Sequence, residues 1–568
     1  MQKSLAQFFV ISAVFLFTFV ALFLLRGADD NSLFRWSWVF AKSDASRIYL
    51  FLMIGLVLSF FLSRTAVPDD YQAPFLAALS FAVSALFWKE PELIVDASRY
   101  FTQAKHLAVY GSGHFLTEWG RTIPAWTDLP LIPFLYGLLF KLFGETRTVI
   151  QLFTSMLFSL TTVLTYLIGK KLWNRETGFA GGLLLLGIPY LLTQVPLMLV
   201  DIPTMFFLLL SVFTFLEALD RDGVVRIGCS MTAIACTALT KYSAWFMLSV
   251  LGVALLVYDE HSASSKNRRP LLRGSVILLI AAAVAGAVLL FKFDVVSEQL
   301  AFLLEYQKPG LARWGESFQS TFFFQMHPFI TISAMASLVV AWRKRDKKHA
   351  IISWLVLLVV IFNIRRIRYV APIFPLFTLM AGYGLRIIKR DDVSRFIVYG
   401  IVTTSLVIAV FAYLPLAGNM SAVNLKHAGA YLNTLDAGEF EVITLPPKAP
   451  VVNHAVAVPL LDLFTSKRLQ YRGQYEAFPP REEIELSSLR FTWEYRNPEY
   501  YAAPLTEAGA VPVVILSDAS NILLPNPVSR RLEGYRLSES FCVNEGIFRY
   551  TVGVRIYQPL LPVAKPLE

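Results

Sequence analysis

The sequence predicts a mainly α-helical polytopic membrane protein of about 13 spans, followed by a small C-terminal α/β domain outside the membrane. Three observations lead there. Of 568 residues, 56% are hydrophobic and only 16% charged, and mean hydropathy is +0.55. Soluble globular chains carry about a quarter charged residues, so a soluble multidomain enzyme and a disordered chain are both excluded. The apolar residues come in runs near the roughly 20-residue length that a bilayer demands. The segment 418–568 then changes character, with scattered charge, many prolines and only short apolar runs.

Thirteen runs qualify as spans: 5–25, 47–63, 72–88, 148–169, 177–193, 203–218, 227–240, 243–258, 274–291, 328–342, 350–363, 368–387 and 396–416. The first lies between Lys3 and Arg26. It is long for a signal-peptide core and no small-residue cleavage site follows, so it reads as a retained anchor. With the N-terminus cytoplasmic, alternate short loops hold most of the local Lys and Arg, from Lys3 and Arg64 through Lys266 and Arg268 to Arg395. That is the positive-inside pattern. It accounts for much of the +10 net charge without a nucleic-acid partner. The expected location is the cell (plasma or inner) membrane, with 89–147, 292–327 and 418–568 on the extracytoplasmic side. Within the tail, 440–445 and 511–516 are strand-like and 428–435 is helix-like. The halves show no internal symmetry, which counts against a secondary transporter. Cys229, Cys236 and Cys542 make no disulfide framework.

The segment 89–147 is too long for a plain connector. After Asp96 it places Ala97, Tyr100, Phe101, Ala104, Leu107 and Ala108 on one helical face, the spacing of a helix lying in the membrane interface. The helix breaks at Gly111-Ser112-Gly113, and a polar aromatic stretch with Trp126 and Asp128 follows. The run 129–143 is short and contains Pro130 and Pro133, so it reads as a half-inserted helix. Asp96 follows the third span within eight residues of Trp88 and stays near the membrane surface. A solvated acid or a helix N-cap is the plain alternative.

Several short motifs recur in a fixed order. Asp96 has Tyr100 four residues on; a proline-containing apolar segment ends in Phe143-Gly144; a span ends Gly169-Lys170-Lys171-Leu172-Trp173; and Asp201-Ile202-Pro203 lies beyond a Gly/Ala-rich span. Thr240-Lys241-Tyr242 and Arg368-Tyr369-Val370-Ala371-Pro372 follow. Over residues 90–390 this order resembles the GT-C superfamily of membrane glycosyltransferases, of the protein O-mannosyltransferase and lipid A aminoarabinose transferase type. Two spans precede the family's usual first one. The resemblance implies four parts: N-terminal spans 1–88, a catalytic loop 89–147, a membrane glycosyltransferase core 148–417 and a soluble domain 418–568. It also implies transfer of a hexosyl or pentosyl group from a polyprenyl-phosphate donor, among membrane lipid, to a hydroxyl of a glycolipid or protein acceptor.

That chemistry needs a base for the hydroxyl and cations for the phosphate leaving group. Asp96 fits the base, with inversion at the anomeric carbon. Arg365, Arg366 and Arg368 run against the positive-inside bias and suit a lipid phosphate. Lys241 is a second cation; snorkelling to ordinary phospholipid is the alternative for all four. Tyr100, Asp128, Asp201 and Tyr369 are expected to position substrate, Asp201 by pairing with an outer arginine or, alternatively, as a helix cap. The histidines show no metal-ligand spacing, so no cofactor is expected and a divalent cation is not indicated. A transporter or flippase for lipid-linked saccharides, or a non-catalytic scaffold in envelope assembly, remains the competing class.

Overall fold

The computed structural model describes residues 2–263, 269–307, 315–447, 452–474, 480–487, 489–495, 498–502, 510–519, 524–548 and 550–560. Lys266 and Arg268 lie outside the described residues. The chain forms two compact units. One contains Met1–Lys89, Ala125–Ile132 and Gln151–Leu416; the other contains Glu90–Pro124, Pro133–Ile150 and Ala417–Glu568.

The first unit is helical. Among the described residues eight helices are long and apolar enough to cross a membrane: Leu5–Leu24, Ala45–Ser63, Arg147–Leu172, Asp201–Asp220, Tyr242–Asp259, Arg269–Phe291, Ile367–Ile387 and Asp391–Ala417. The other expected runs are also helical but shorter or broken. They are Gln72–Ala85, Arg175–Leu184 with Pro189–Gln194, Val224–Ala238, Pro328–Lys344 and His349–Ile361. The break before Pro189 follows from its missing N–H. In an apolar medium helices associate through close backbone approach at small residues. Gly178 packs so tightly that a Cβ there would lie 2.2 Å from the Tyr166 carbonyl oxygen. Gly384 is tighter still, 1.9 Å from the Ser333 carbonyl oxygen.

The second unit contains a five-stranded sheet of order β2-β1-β3-β5-β4. Its strands are β1 (Glu439–Thr444), β2 (Arg468–Gln474), β3 (Val513–Ser517), β4 (Tyr535–Phe541) and β5 (Gly553–Pro559). β1 pairs in parallel with β2 and β3, Val442 facing Tyr471 and Val514. β5 runs antiparallel to β3 and β4. β1 and β3 are buried along their whole length. The helical segment His454–Leu463 carries the chain from β1 to β2, the crossover that parallel pairing requires.

The same unit holds the helix Ile94–Tyr110, and here the sequence expectation is corrected. Its apolar face does not lie free for a membrane interface: Ala97, Phe101, Ala104 and Leu107 are fully buried. So are Ser98, Thr102 and Gln103 on other faces, to 1% exposure or less. The helix packs on Ser112–Glu118, His454–Ala457 and Val458–Leu463, so protein rather than lipid covers it. Gly111, at φ +90°, ends it in a conformation that suits glycine. Lys105 fixes the helix electrostatically: its Nζ lies 2.8 Å from Glu145 and 2.5 Å from Asp462, which also accepts the Tyr501 hydroxyl at 2.6 Å. The helix Leu131–Phe143, with 13 residues, extends only about 20 Å and is too short to span a bilayer.

Two outcomes test this packing. Gly384→Ala should cost about 1–3 kcal/mol in thermal unfolding of the purified protein, since the carbonyl it meets is backbone and cannot swing aside. Gly286→Ala, with open space around it, should be neutral or slightly stabilising. The second concerns His106, which is 5% exposed with neither ring nitrogen hydrogen-bonded among the described residues. Burial, reinforced by the charge of His114, pulls its pKa from 6.5 down to about 4. The unfolded chain therefore takes up a proton near pH 6.5 that the folded unit refuses until about pH 4. This contribution to stability is intact above 6.5 and declines as pH falls through that window, by at most roughly 3 kcal/mol. Unfolding followed between pH 7.5 and 4.5 should show a shallower acid limb for His106→Phe than for the wild type.

Candidate active site

In the first unit Lys241, Arg366, Arg368 and Tyr369 gather around Asp201. This aspartate opens the helix Asp201–Asp220, and its side chain is only 3% exposed. One carboxylate oxygen accepts from Lys241 Nζ at 2.8 Å and the other from Arg368 Nε at 2.9 Å. Lys241 stands at the turn before the helix Tyr242–Met247, and Arg368 lies in the short helix Ile367–Val370. Asp201 is therefore a double counter-ion within the first helical turn. The cap alternative is not realised, because the capping position belongs to Val200.

Tyr369 lies between two cations of this group. Lys241 Nζ and the Arg366 guanidinium carbon are each 5.4 Å from its ring centre, within the range where a cation is drawn to an aromatic face. Arg366 in turn faces Glu316 at 3.7 Å. Lys241, Arg366 and Arg368 against Asp201 and Glu316 leave one formal positive charge. Arg365 does not join them. It is exposed, its Nε bonds the Asn363 side chain at 2.8 Å, and the Thr321 hydroxyl donates to its carbonyl. Of the three arginines read together in the sequence, two are brought into the cluster.

Asp128 approaches the same turn by another path. Its backbone oxygen accepts from Gln299 Nε2 at 3.2 Å, and the Gln299 side-chain oxygen accepts the Tyr242 hydroxyl. The preceding Trp126 holds a positive φ of 45°, uncommon for a bulky residue. Gln299 and Glu316 carry no motif that sequence reasoning could find. The one available signal for Glu316 is that an arginine run near an apolar span needs a buried counter-charge.

Asp96 and Tyr100 belong to the second unit. Asp96 sits in the first turn of Ile94–Tyr110 but is not its cap; Leu93 holds that position. Its carboxylate is 27% exposed and lies 3.3 Å from Arg99. A helix N-terminus favours a negative charge there. Tyr100 is 2% exposed, and the Arg99 guanidinium lies 5.6 Å from its ring centre. Among the described residues no cluster of His, Cys, Asp and Glu suits a metal ion.

Removing the central carboxylate takes away the counter-ion shared by Lys241 and Arg368 in a mostly buried site. Asp201→Asn should destabilise the purified protein by about 3–5 kcal/mol. Asp201→Glu should recover part of that loss, and thermal unfolding at constant detergent distinguishes the two.

Comparison with known proteins adds three findings. Residues 126–287, which include Asp128, Asp201 and Lys241, match the family described as dolichyl-phosphate-mannose-protein mannosyltransferase. No curated protein matches the chain. Two solved structures of ArnT from Cupriavidus metallidurans share its fold, each covering 85% of this chain and 97% of that one. The form bound to undecaprenyl phosphate is 13% identical with a TM-score of 0.51, and the apo form 14% identical with a TM-score of 0.50. The likeness to known proteins thus rests on a family match over residues 126–287 and on a fold shared with ArnT over most of the chain.

Proposed function

We propose that this multi-pass membrane protein transfers a sugar from a polyprenyl-phosphate donor to an acceptor hydroxyl on the extracytoplasmic face. The observation that carries the reading is the group formed by Lys241, Arg366 and Arg368 with Asp201 and Tyr369 at the head of a membrane-length helix. A sugar linked to a polyprenyl phosphate is a phosphodiester with one negative charge. Breaking the bond from its anomeric carbon to the phosphate oxygen leaves a monoester that gains a second charge. Cations fixed beforehand, and not recruited during the reaction, stabilise that developing charge best. The undecaprenyl phosphate in the solved ArnT supports a lipid phosphate as the ligand class.

In this reading Lys241, Arg366 and Arg368 hold the donor phosphate, and Tyr369 orders two of them. Asp96 takes the proton of the acceptor hydroxyl as its oxygen attacks the anomeric carbon from the side opposite the phosphate, which inverts that centre. Tyr100 and Asp128 position substrate, and the acceptor is a glycolipid or a protein. Partial exposure leaves the Asp96 carboxylate reachable.

Sugar transfer in membranes of a deletion strain, complemented with each variant at matched expression, tests the assignment. Asp96→Asn should lower transfer by roughly 10²–10⁴. Arg366→Gln, Arg368→Gln and Lys241→Gln should each weaken donor use by roughly ten- to a hundredfold. Arg365→Gln should change little, because that side chain stands apart from the cluster. Full complementation by Asp96→Asn would remove the base and favour a transport or scaffold role.

A further inference from the structure

The loop that joins the first two spans is not an idle connector. Between the helices Gln2–Leu24 and Ala45–Ser63, Asp29 is fully buried. Its carboxylate accepts from the backbone N–H of Asn31 at 3.0 Å and of Trp36 at 2.7 Å. It also accepts from the Ser320 hydroxyl at 2.5 Å and from Gln325 Nε2 at 2.6 Å. Asp30 accepts the Ser317 N–H at 2.9 Å. The loop thus holds the segment 315–325 by side chains distant in sequence.

That segment carries Glu316, 5% exposed, whose two oxygens face in different directions. One accepts the Ser32 hydroxyl at 2.7 Å and lies 3.7 Å from Arg366 Nε. The other accepts the Ile367 N–H at 3.2 Å. Ile367 stands between Arg366 and Arg368, so fixing its backbone sets the direction in which both guanidinium side chains leave the chain. We propose that Glu316, braced by Ser32 of the N-terminal hairpin, is a positioning residue that presets Arg366 and Arg368 for the donor phosphate. The proposal rests on the reading of those arginines as phosphate ligands. Its physical basis is that a charge-assisted contact to phosphate needs placement within about half an ångström, and that ordering a long side chain only on binding weakens affinity.

The test uses the full chain in nanodiscs with undecaprenyl phosphate as probe, measuring Kd and thermal unfolding for each variant. Ser32→Ala and Glu316→Gln should each weaken binding roughly tenfold, while Ser32→Thr, which keeps the hydroxyl, should bind as the wild type does. In a background carrying both Arg366→Gln and Arg368→Gln, Ser32→Ala should cause little further loss, because both groups it positions are gone. Should Glu316→Gln fail to fold, the half-buried Ser32 carries the test alone. If Ser32→Ala lowers thermal stability but leaves Kd within twofold, the brace is only structural and the proposal fails. If Arg366→Gln and Arg368→Gln bind like the wild type, the phosphate-site reading itself falls, and the positioning role falls with it.

Discussion

One buried carboxylate organises the first unit. Asp201 is screened from water at the head of a 20-residue apolar helix, where a lone charge would be prohibitively costly. It is tolerated because Lys241 and Arg368 reach it from two other parts of the chain, 40 and 167 residues away. Each of those two cations in turn has its charge met by this carboxylate. The triad therefore fixes the relative placement of three helix ends and leaves a rigid, charged surface among otherwise apolar elements.

The second unit shows the same logic with different residues. Lys105 joins the helix Ile94–Tyr110 to Glu145 and Asp462 through short ionic contacts, and Arg147 bonds Glu92 at 2.8 Å and the Glu90 carbonyl at 2.5 Å. A segment from early in the chain and a tail from its end thereby share one core. A full-length protein is consequently the proper object for experiments on either segment.

Much of the candidate site could be read residue by residue. Asp201, Lys241, Arg366, Arg368 and Tyr369 were each visible because a charged or aromatic residue at the end of an apolar run is costly and stands out. The pairing of Asp201 with an outer arginine was expected and is found with Arg368, but partners outside this set were not visible. Glu316 sits in an unremarkable loop, Ser32 lies 284 residues from it, and Gln299 bears no motif. Nor did the sequence separate Arg365 from its two neighbours, since adjacency along a chain says nothing of the direction in which a side chain points.

The amino-acid sequence alone determined where the helices form and how the tail differs, because both follow from local quantities. A bilayer sets the length of an apolar run, and strand-like runs such as 440–445 and 511–516 reappear as β1 and β3. The tertiary structure alone decided what each polar or amphipathic surface meets. The apolar face of Ile94–Tyr110 has the same periodicity whether lipid or protein covers it, and only packing showed that protein does. Ion pairing likewise depends on three-dimensional proximity across tens to hundreds of residues. Helical periodicity is a one-dimensional signal, and charge compensation in an apolar medium is a three-dimensional requirement.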